Sequence, residues 1–202
     1  QASVIEMMNT DEYKELRRNM LAGVNSDCCN RCYDVERVGQ WSLRQSANAV
    51  RGHKNLDLIN ATQEDGTIDE FKLQYVDIRW SNICNFKCRS CGPEFSSLHA
   101  KEFIDHKGGQ EKLKQYFRMD NMVVSCNETG DFFDKVKPYL KDSDEVYFAG
   151  GEALITPQHY EILDYWLETG KTDVKLRYTT NFSGVKYKEK SILDYCKYFK
   201  DV

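Results

Sequence analysis

The sequence predicts an α/β protein, with a short, mainly helical, cysteine-containing segment followed by strands and helices in alternation. Three observations predict it. Apolar residues recur at helical spacing in the opening part; the period changes to two at Tyr75–Trp80; and between 145 and 180 a strand, a capped helix and a strand follow in that order. Such βαβα alternation calls for parallel strands with right-handed crossovers. About 130 residues follow the polar stretch that ends near residue 70, enough for about three βα units and too few for a full barrel of about 250.

The first helix has Asn9 or Thr10 as N-cap, Tyr13, Leu16 and Met20/Leu21 on one face, and Gly23 just past its end. A cysteine cluster follows at once. Val35 and Val38 continue an apolar helical stripe, and Trp41 and Leu43 carry apolar content past Gly39. From Arg51 to Glu70 the chain is polar and contains the turn signal Glu64-Asp65-Gly66. We therefore expect a segment over 1–50, a linker over 51–70 and an α/β part over 71–202.

In that last part Val76, Ile78 and Trp80 alternate with Tyr75, Asp77 and Arg79, as in a strand. Further strands are expected at Glu145–Ala149 and Val174–Thr180. The helix between them has Thr156 as N-cap, Pro157 at its first position, Ile162, Leu163, Trp166 and Leu167 inward, and Gly170 after its end. Helical signals around Phe95–Phe103 and Phe132–Leu140, with Gly108-Gly109 between, separate the first two strands. There is no internal repeat and no low-complexity tract.

The chain has 202 residues, with 28 Lys+Arg against 32 Asp+Glu and a formal charge of -4. That balance argues against nucleic acid as a partner, because phosphate binding needs clustered Lys and Arg. No apolar run is long enough for a membrane span. Its 41% hydrophobic and 12% aromatic residues argue against wholesale disorder. Gln1 at the start, and Lys200-Asp201-Val202 reading like entry to another strand, suggest part of a longer protein. The eight cysteines fall mostly in tight clusters, which hold metals more often than disulfides and lead us to expect a reducing, cytoplasmic location.

Directly after the first strand, Ser81-Asn82-Ile83-Cys84-Asn85-Phe86-Lys87-Cys88-Arg89-Ser90-Cys91-Gly92 contains C-x3-C-x2-C. Three thiolates on one loop can ligate three irons of a cubane cluster, leaving the fourth iron open to a ligand that is not protein. The place fits, since parallel α/β sheets and barrels put their sites at the C-terminal ends of strands. The second strand ends in Gly150-Gly151-Glu152, where glycines let the backbone turn sharply and a carboxylate suits an ammonium; alone, it is equally an ordinary strand-to-helix turn.

Together these motifs resemble the radical S-adenosylmethionine (SAM) superfamily. The resemblance implies a partial (βα)6 barrel, of which this chain would hold the N-terminal half. It implies a 4Fe-4S cluster on Cys84, Cys88 and Cys91, and SAM as second cofactor. Gly150, Gly151 and Glu152 would contact the SAM amino group. Ser90 stands where the family often has an aromatic residue beside the adenine. Asn181, at the end of the third strand, would meet the ribose or carboxylate; its other reading is a turn residue. The implied activity is that of an enzyme, of oxidoreductase type: reductive cleavage of SAM to methionine and a 5'-deoxyadenosyl radical, which abstracts a substrate hydrogen. A peptide or protein substrate and an electron donor such as a flavodoxin or ferredoxin are the partners it implies.

The segment from Ile5 to Cys32, with Arg17, Arg18 and Cys29-Asn30-Arg31-Cys32, resembles the closing part of a SPASM or Twitch element. By that resemblance Cys29 and Cys32 would ligate an auxiliary iron-sulfur cluster, incomplete here. Cys28 reads as a ligand or a free thiol. The alternative function is a non-catalytic four-cysteine zinc protein joining Cys29/Cys32 to Cys88/Cys91, or an iron-sulfur electron carrier. That zinc spacing is wider than usual and leaves Cys84 unexplained.

Cys126 and Cys196 read as small core residues, and His53, His99, His106 and His159 as surface or packing residues. Lys186, Lys188, Lys190, Lys197 and Lys200 read as a solvated helix face. Asp77, Arg79 and Arg177 share one strand face. They form either an Asp with two Arg in a polar barrel interior or ordinary exposed positions.

Overall fold

The computed structural model describes residues 3–125 and 129–202. Cys126 lies outside them. The chain divides into two compact units, 1–71 and 72–202.

The first unit is helical: α1 (Val4–Met8), α2 (Asp11–Leu21), α3 (Asn30–Arg37), α4 (Leu43–Arg51) and α5 (Leu56–Asn60). Local chemistry sets the helix ends. Ser3 and Glu6 cap α1 reciprocally, Ser42 and Gln45 do the same for α4, and α2 starts after Thr10 as expected. The stretch expected as a linker is instead part of this unit. It carries α5 and a tight turn whose groups bond back to α2 and to the end of α1: Arg17 Nε donates to the Gly66 carbonyl (2.7 Å), and Asn9, the C-cap of α1, exchanges two hydrogen bonds with Ile68 (2.8 and 3.0 Å). Polar composition therefore marks a fold held by polar contacts. Among its described residues no apolar side chain is buried, and Val38, Trp41 and Leu43 are 72%, 68% and 80% exposed.

The second unit contains the expected parallel sheet, in the order β1 (Tyr75–Ile78), β2 (Glu145–Phe148), β3 (Lys175–Tyr178). Val76, Val146 and Leu176 lie side by side in register, as do Ile78, Phe148 and Tyr178. These residues belong to one core with Ile162, Leu163 and Trp166 of α9 (Pro157–Glu168) and Leu140 of α8 (Thr129–Leu140). The helix α9 starts at Pro157, where the missing N–H costs no bond. Asp201 pairs in parallel with Lys175, one rung beyond β3.

Between β1 and β2, α6 (Ser97–Lys107) and α7 (Gly109–Phe117) form a helical hairpin around Ala100, Leu113 and Met119. The sequence signals marked α6 and not α7. The lysine-rich stretch also differs from expectation. It forms a two-residue hairpin, β4 (Lys186–Tyr187) and β5 (Lys190–Ser191), then the short α10 (Ile192–Tyr195), in place of a helix face. Cys196 packs against the core, as expected.

The alternate strand residues point away from α8 and α9. Asp77 pairs with Arg79 through two 2.9 Å bonds, while Arg177 pairs with Glu145 at 3.0 Å. The expected single network of one Asp with two Arg is thus two separate pairs, because Tyr147 of β2 stands between Asp77 and Arg177 in register, while Glu145 is on the strand adjacent to Arg177.

Candidate metal and cofactor site

The cysteine loop leaves β1 and is anchored by a residue to which the sequence reading gave no role. Asn82 is 1% exposed. Its side-chain amide donates to the carbonyls of Pro93 (3.0 Å) and Met122 (2.9 Å), and its side-chain oxygen accepts from the Val124 backbone (2.9 Å). A buried Asn with its donors and acceptor engaged fixes both ends of the loop at once. Ser96, the N-cap of α6, donates to the Phe86 carbonyl (2.7 Å), and His99 Nε2 donates to the Cys88 carbonyl (2.9 Å). The Ser96-Ser97-x-His99 stretch after the third cysteine is the sequence signal for this support, since serine at a helix start binds backbone.

Cys84, Cys88 and Cys91 are free thiols on this loop, Cys84 half-buried and the other two exposed. The Cys91 backbone N–H closes a turn onto the Cys88 carbonyl at 2.9 Å, and Ser90 is exposed within that turn. Burial pushes the Cys91 thiol pKa up, and the neighbouring Cys88 and Cys84 add to the rise. Among the described residues no three His, Cys, Asp or Glu side chains converge on a point that could hold one metal ion. Thiols that each take a different iron of a cubane do not share one ion's coordination sphere. Sulfur donors suit iron-sulfur clusters, zinc and copper(I), so the donor type fits the implied cluster.

The turn after β2 closes on this loop. Gly150 and Gly151 both have positive φ, +75° and +55°. A Cβ on Gly151 would lie 2.4 Å from the Ile83 carbonyl oxygen, and one on Gly150 would lie 2.8 Å from Arg79 Cβ. Glycine is required here by backbone conformation and by close approach together. The Glu152 backbone N–H then donates to the same Ile83 carbonyl at 2.8 Å.

The Glu152 side chain is fully buried. Its carboxylate accepts from the Leu154 backbone (3.1 Å), the Thr180 hydroxyl (2.6 Å) and the Asn181 backbone (2.7 Å). It therefore ties the ends of β2 and β3 together, where the resemblance implies contact with an ammonium. Asn181 reaches the cysteine loop: its Nδ2 lies 3.0 Å from Asn85 Oδ1 and 3.6 Å from Cys84 Sγ. Asn85 in turn donates to Ser183 Oγ at 2.7 Å. The structure thus brings Cys84, Gly150, Gly151, Glu152 and Asn181 into one connected assembly.

In the first unit, Cys28 and Cys29 have sulfurs 3.8 Å apart, and Cys32 follows in α3. Burial, the Cys28 hydrogen bond and the Cys28 and Cys32 thiols raise the Cys29 pKa, opposed by Arg44. Arg44 lies over the Tyr33 ring at 5.3 Å and is paired with Glu36, which also accepts from Ser42 Oγ at 2.5 Å.

His159 is the one histidine sealed in the second unit's core, between the rings of Phe148, Tyr160 and Tyr178, with Nε2 2.9 Å from the Tyr178 hydroxyl. Burial lowers its pKa to about 3. Its part is packing, as expected.

No protein-family profile, curated protein or solved structure gives a significant match to the chain.

Proposed function

We propose that the chain is part of a radical SAM enzyme, with a 4Fe-4S cluster held by Cys84, Cys88 and Cys91 and SAM bound beside it. The observation that carries this reading is the C-x3-C-x2-C loop at the C-terminal end of the first strand of a parallel sheet, abutted by Gly150-Gly151-Glu152 from the end of the second. When bound, cluster and SAM would together supply a carbon-centred radical that abstracts hydrogen from a substrate.

The chain's own residues bind, orient and shelter. Asn82, Ser96 and His99 hold the backbone of the loop that carries the three cysteines, and Glu152 fixes the end of β3 against it. The absence of side chains at Gly150 and Gly151 lets backbone approach the cofactor site closely. Ser90 and Asn181 stand at the same end of the sheet and are proposed to line the SAM site.

The three strands are proposed to be the first of a partial (βα)6 barrel. All-parallel sheets are ordinarily covered on both faces, and here one face is packed by helices while the other carries the Asp77–Arg79 and Glu145–Arg177 pairs. A polar barrel interior accounts for that second face, and the parallel pairing of Asp201 with Lys175 is consistent with a fourth strand beside β3.

Cys29 and Cys32 are proposed to ligate an auxiliary iron-sulfur cluster. The support is energetic: a 71-residue unit with no buried apolar side chain among its described residues lacks the usual source of stability, which small domains replace with metal or disulfides. A peptide or protein substrate, a flavodoxin- or ferredoxin-type donor and a cytoplasmic location complete the proposal.

Iron and sulfide analysis of anaerobically purified chain tests the cofactor. Stoichiometric iron and acid-labile sulfide, lost on replacing the loop cysteines, are expected; a colourless, zinc-loaded protein would overturn the reading in favour of a structural site.

A further inference from the structure

The Cys84 sulfur has a side-chain amide aimed at it from the third strand's end. Asn181 Nδ2 lies 3.6 Å from Cys84 Sγ, and the amide is held in orientation from three sides. Its oxygen accepts from the Ser183 backbone at 2.9 Å, its other N–H donates to Asn85 Oδ1 at 3.0 Å, and its backbone N–H is gripped by the buried Glu152 at 2.7 Å. With the oxygen fixed by a backbone donor, the amide cannot flip, so the atom facing sulfur is the donor nitrogen. Thr180 strengthens the hold, since its hydroxyl binds Glu152 and accepts from the Phe182 backbone at 2.9 Å.

We infer that Asn181 is a positioning residue for the cluster: it donates an N–H···S hydrogen bond to Cys84 and thereby sets the reduction potential, and Glu152 serves to place it. This rests on the proposal that Cys84 ligates a 4Fe-4S cluster and goes beyond it, because it gives Asn181 a partner on the protein side and Glu152 a role that needs no contact with SAM. The physical basis is that a hydrogen bond to a ligating sulfur draws electron density from it. The reduced cluster, carrying one more negative charge than the oxidised one, gains more from that bond. Loss of the donor therefore makes the cluster harder to reduce.

The test is an EPR-monitored redox titration of the full, iron-reconstituted chain without SAM. Asn181→Leu keeps the side chain's approximate size and removes the donor. It is expected to shift the reduction equilibrium against the reduced state by three- to tenfold, about 30 to 60 mV lower for one electron. Asn181→Ala, which removes the donor without adding charge, should shift in the same direction, and it serves if the leucine variant loads iron poorly. Ser183→Ala, which removes the hydroxyl bonded to Asn85 and leaves the Ser183 N–H in place, should leave the potential unchanged. Unchanged potentials in both Asn181 variants, or an equal shift in Ser183→Ala, would overturn the inference and leave the cluster assignment standing. A wild-type chain that binds no iron would overturn the cluster assignment itself.

Discussion

Gly151 shows how much of the site depends on single atoms. An alanine there would adopt φ +55° and put its Cβ 2.4 Å from a backbone oxygen of the cysteine loop. Gly170 has a similar φ of +71° with nothing within 4 Å. Left-handed backbone costs an L residue about 1–2 kcal/mol, so Gly170→Ala should lose roughly that much. Gly151→Ala should lose distinctly more and also displace Ile83 and Cys84. Chemical denaturation of both variants checks the difference; equal losses would show that the contact with the loop is unimportant. At this scale the sharp turn at the two glycines was legible in sequence, because residue type carries the signal. Asn82 was not, since one polar residue after a strand has many readings until its three partners, separated by up to 42 residues, are brought together. Glu152 was legible as a residue of note but not in its surroundings: a carboxylate that suits an ammonium suits buried backbone N–H groups equally well.

In the second unit, β1 and α9 were foretold by strong packing patterns. The alternation in β1 and the Thr156-Pro157 start of α9 both correspond to residues of one core, with Trp166 and Leu163 fully buried. Trp166→Ala should cost about 3–5 kcal/mol, the range for removing a buried aromatic. In the first unit burial does not separate the helices that were foretold, α2 and α3, from those that were missed, α1, α4 and α5, because none of them has a buried residue; the helix missed in the second unit, α7, buries Leu113 alone. Their ends are set by caps and backbone turns. The Lys186–Lys200 stretch was misjudged because charge patterning identifies solvent exposure without distinguishing a hairpin from a helix.

Within α9, His159 makes stability depend on pH. Its folded pKa is about 3 and its unfolded value about 6.5, so between those limits only the unfolded chain takes up the proton. Stability from this residue is therefore intact above pH 6.5 and falls with pH by about 1.4 kcal/mol per unit, reaching about 2 kcal/mol at pH 5. Denaturation at a series of pH values should show that slope, and His159→Gln should flatten it. An unchanged slope in the variant would mean that other groups carry it.

As a whole, the molecule joins two units of unlike construction. The second has a continuous core; the first, among its described residues, is tied by caps and by bonds between α2 and the 65–68 turn, without buried apolar side chains. In metal-free protein, amide exchange should be slow in β1–β3 and α9 and fast throughout the first unit. Equal protection in both would show that polar ties suffice. No helix among the described residues is long and apolar enough to cross a membrane. The two-part organisation was legible from the change of hydrophobic period, and the division at 71/72 falls where that period changes. The integration of residues 51–70 was not, because polar segments look alike whether they are solvated or bonded back to their own domain.

The central claim, that the loop after β1 supports radical chemistry on SAM, is tested most directly by SAM cleavage under chemical reduction. Reconstituted wild-type chain should convert SAM to methionine and 5'-deoxyadenosine, and Cys84→Ala, Cys88→Ala and Cys91→Ala should each abolish the conversion. Retention of cleavage by a fully reconstituted Cys88→Ala variant would contradict the account.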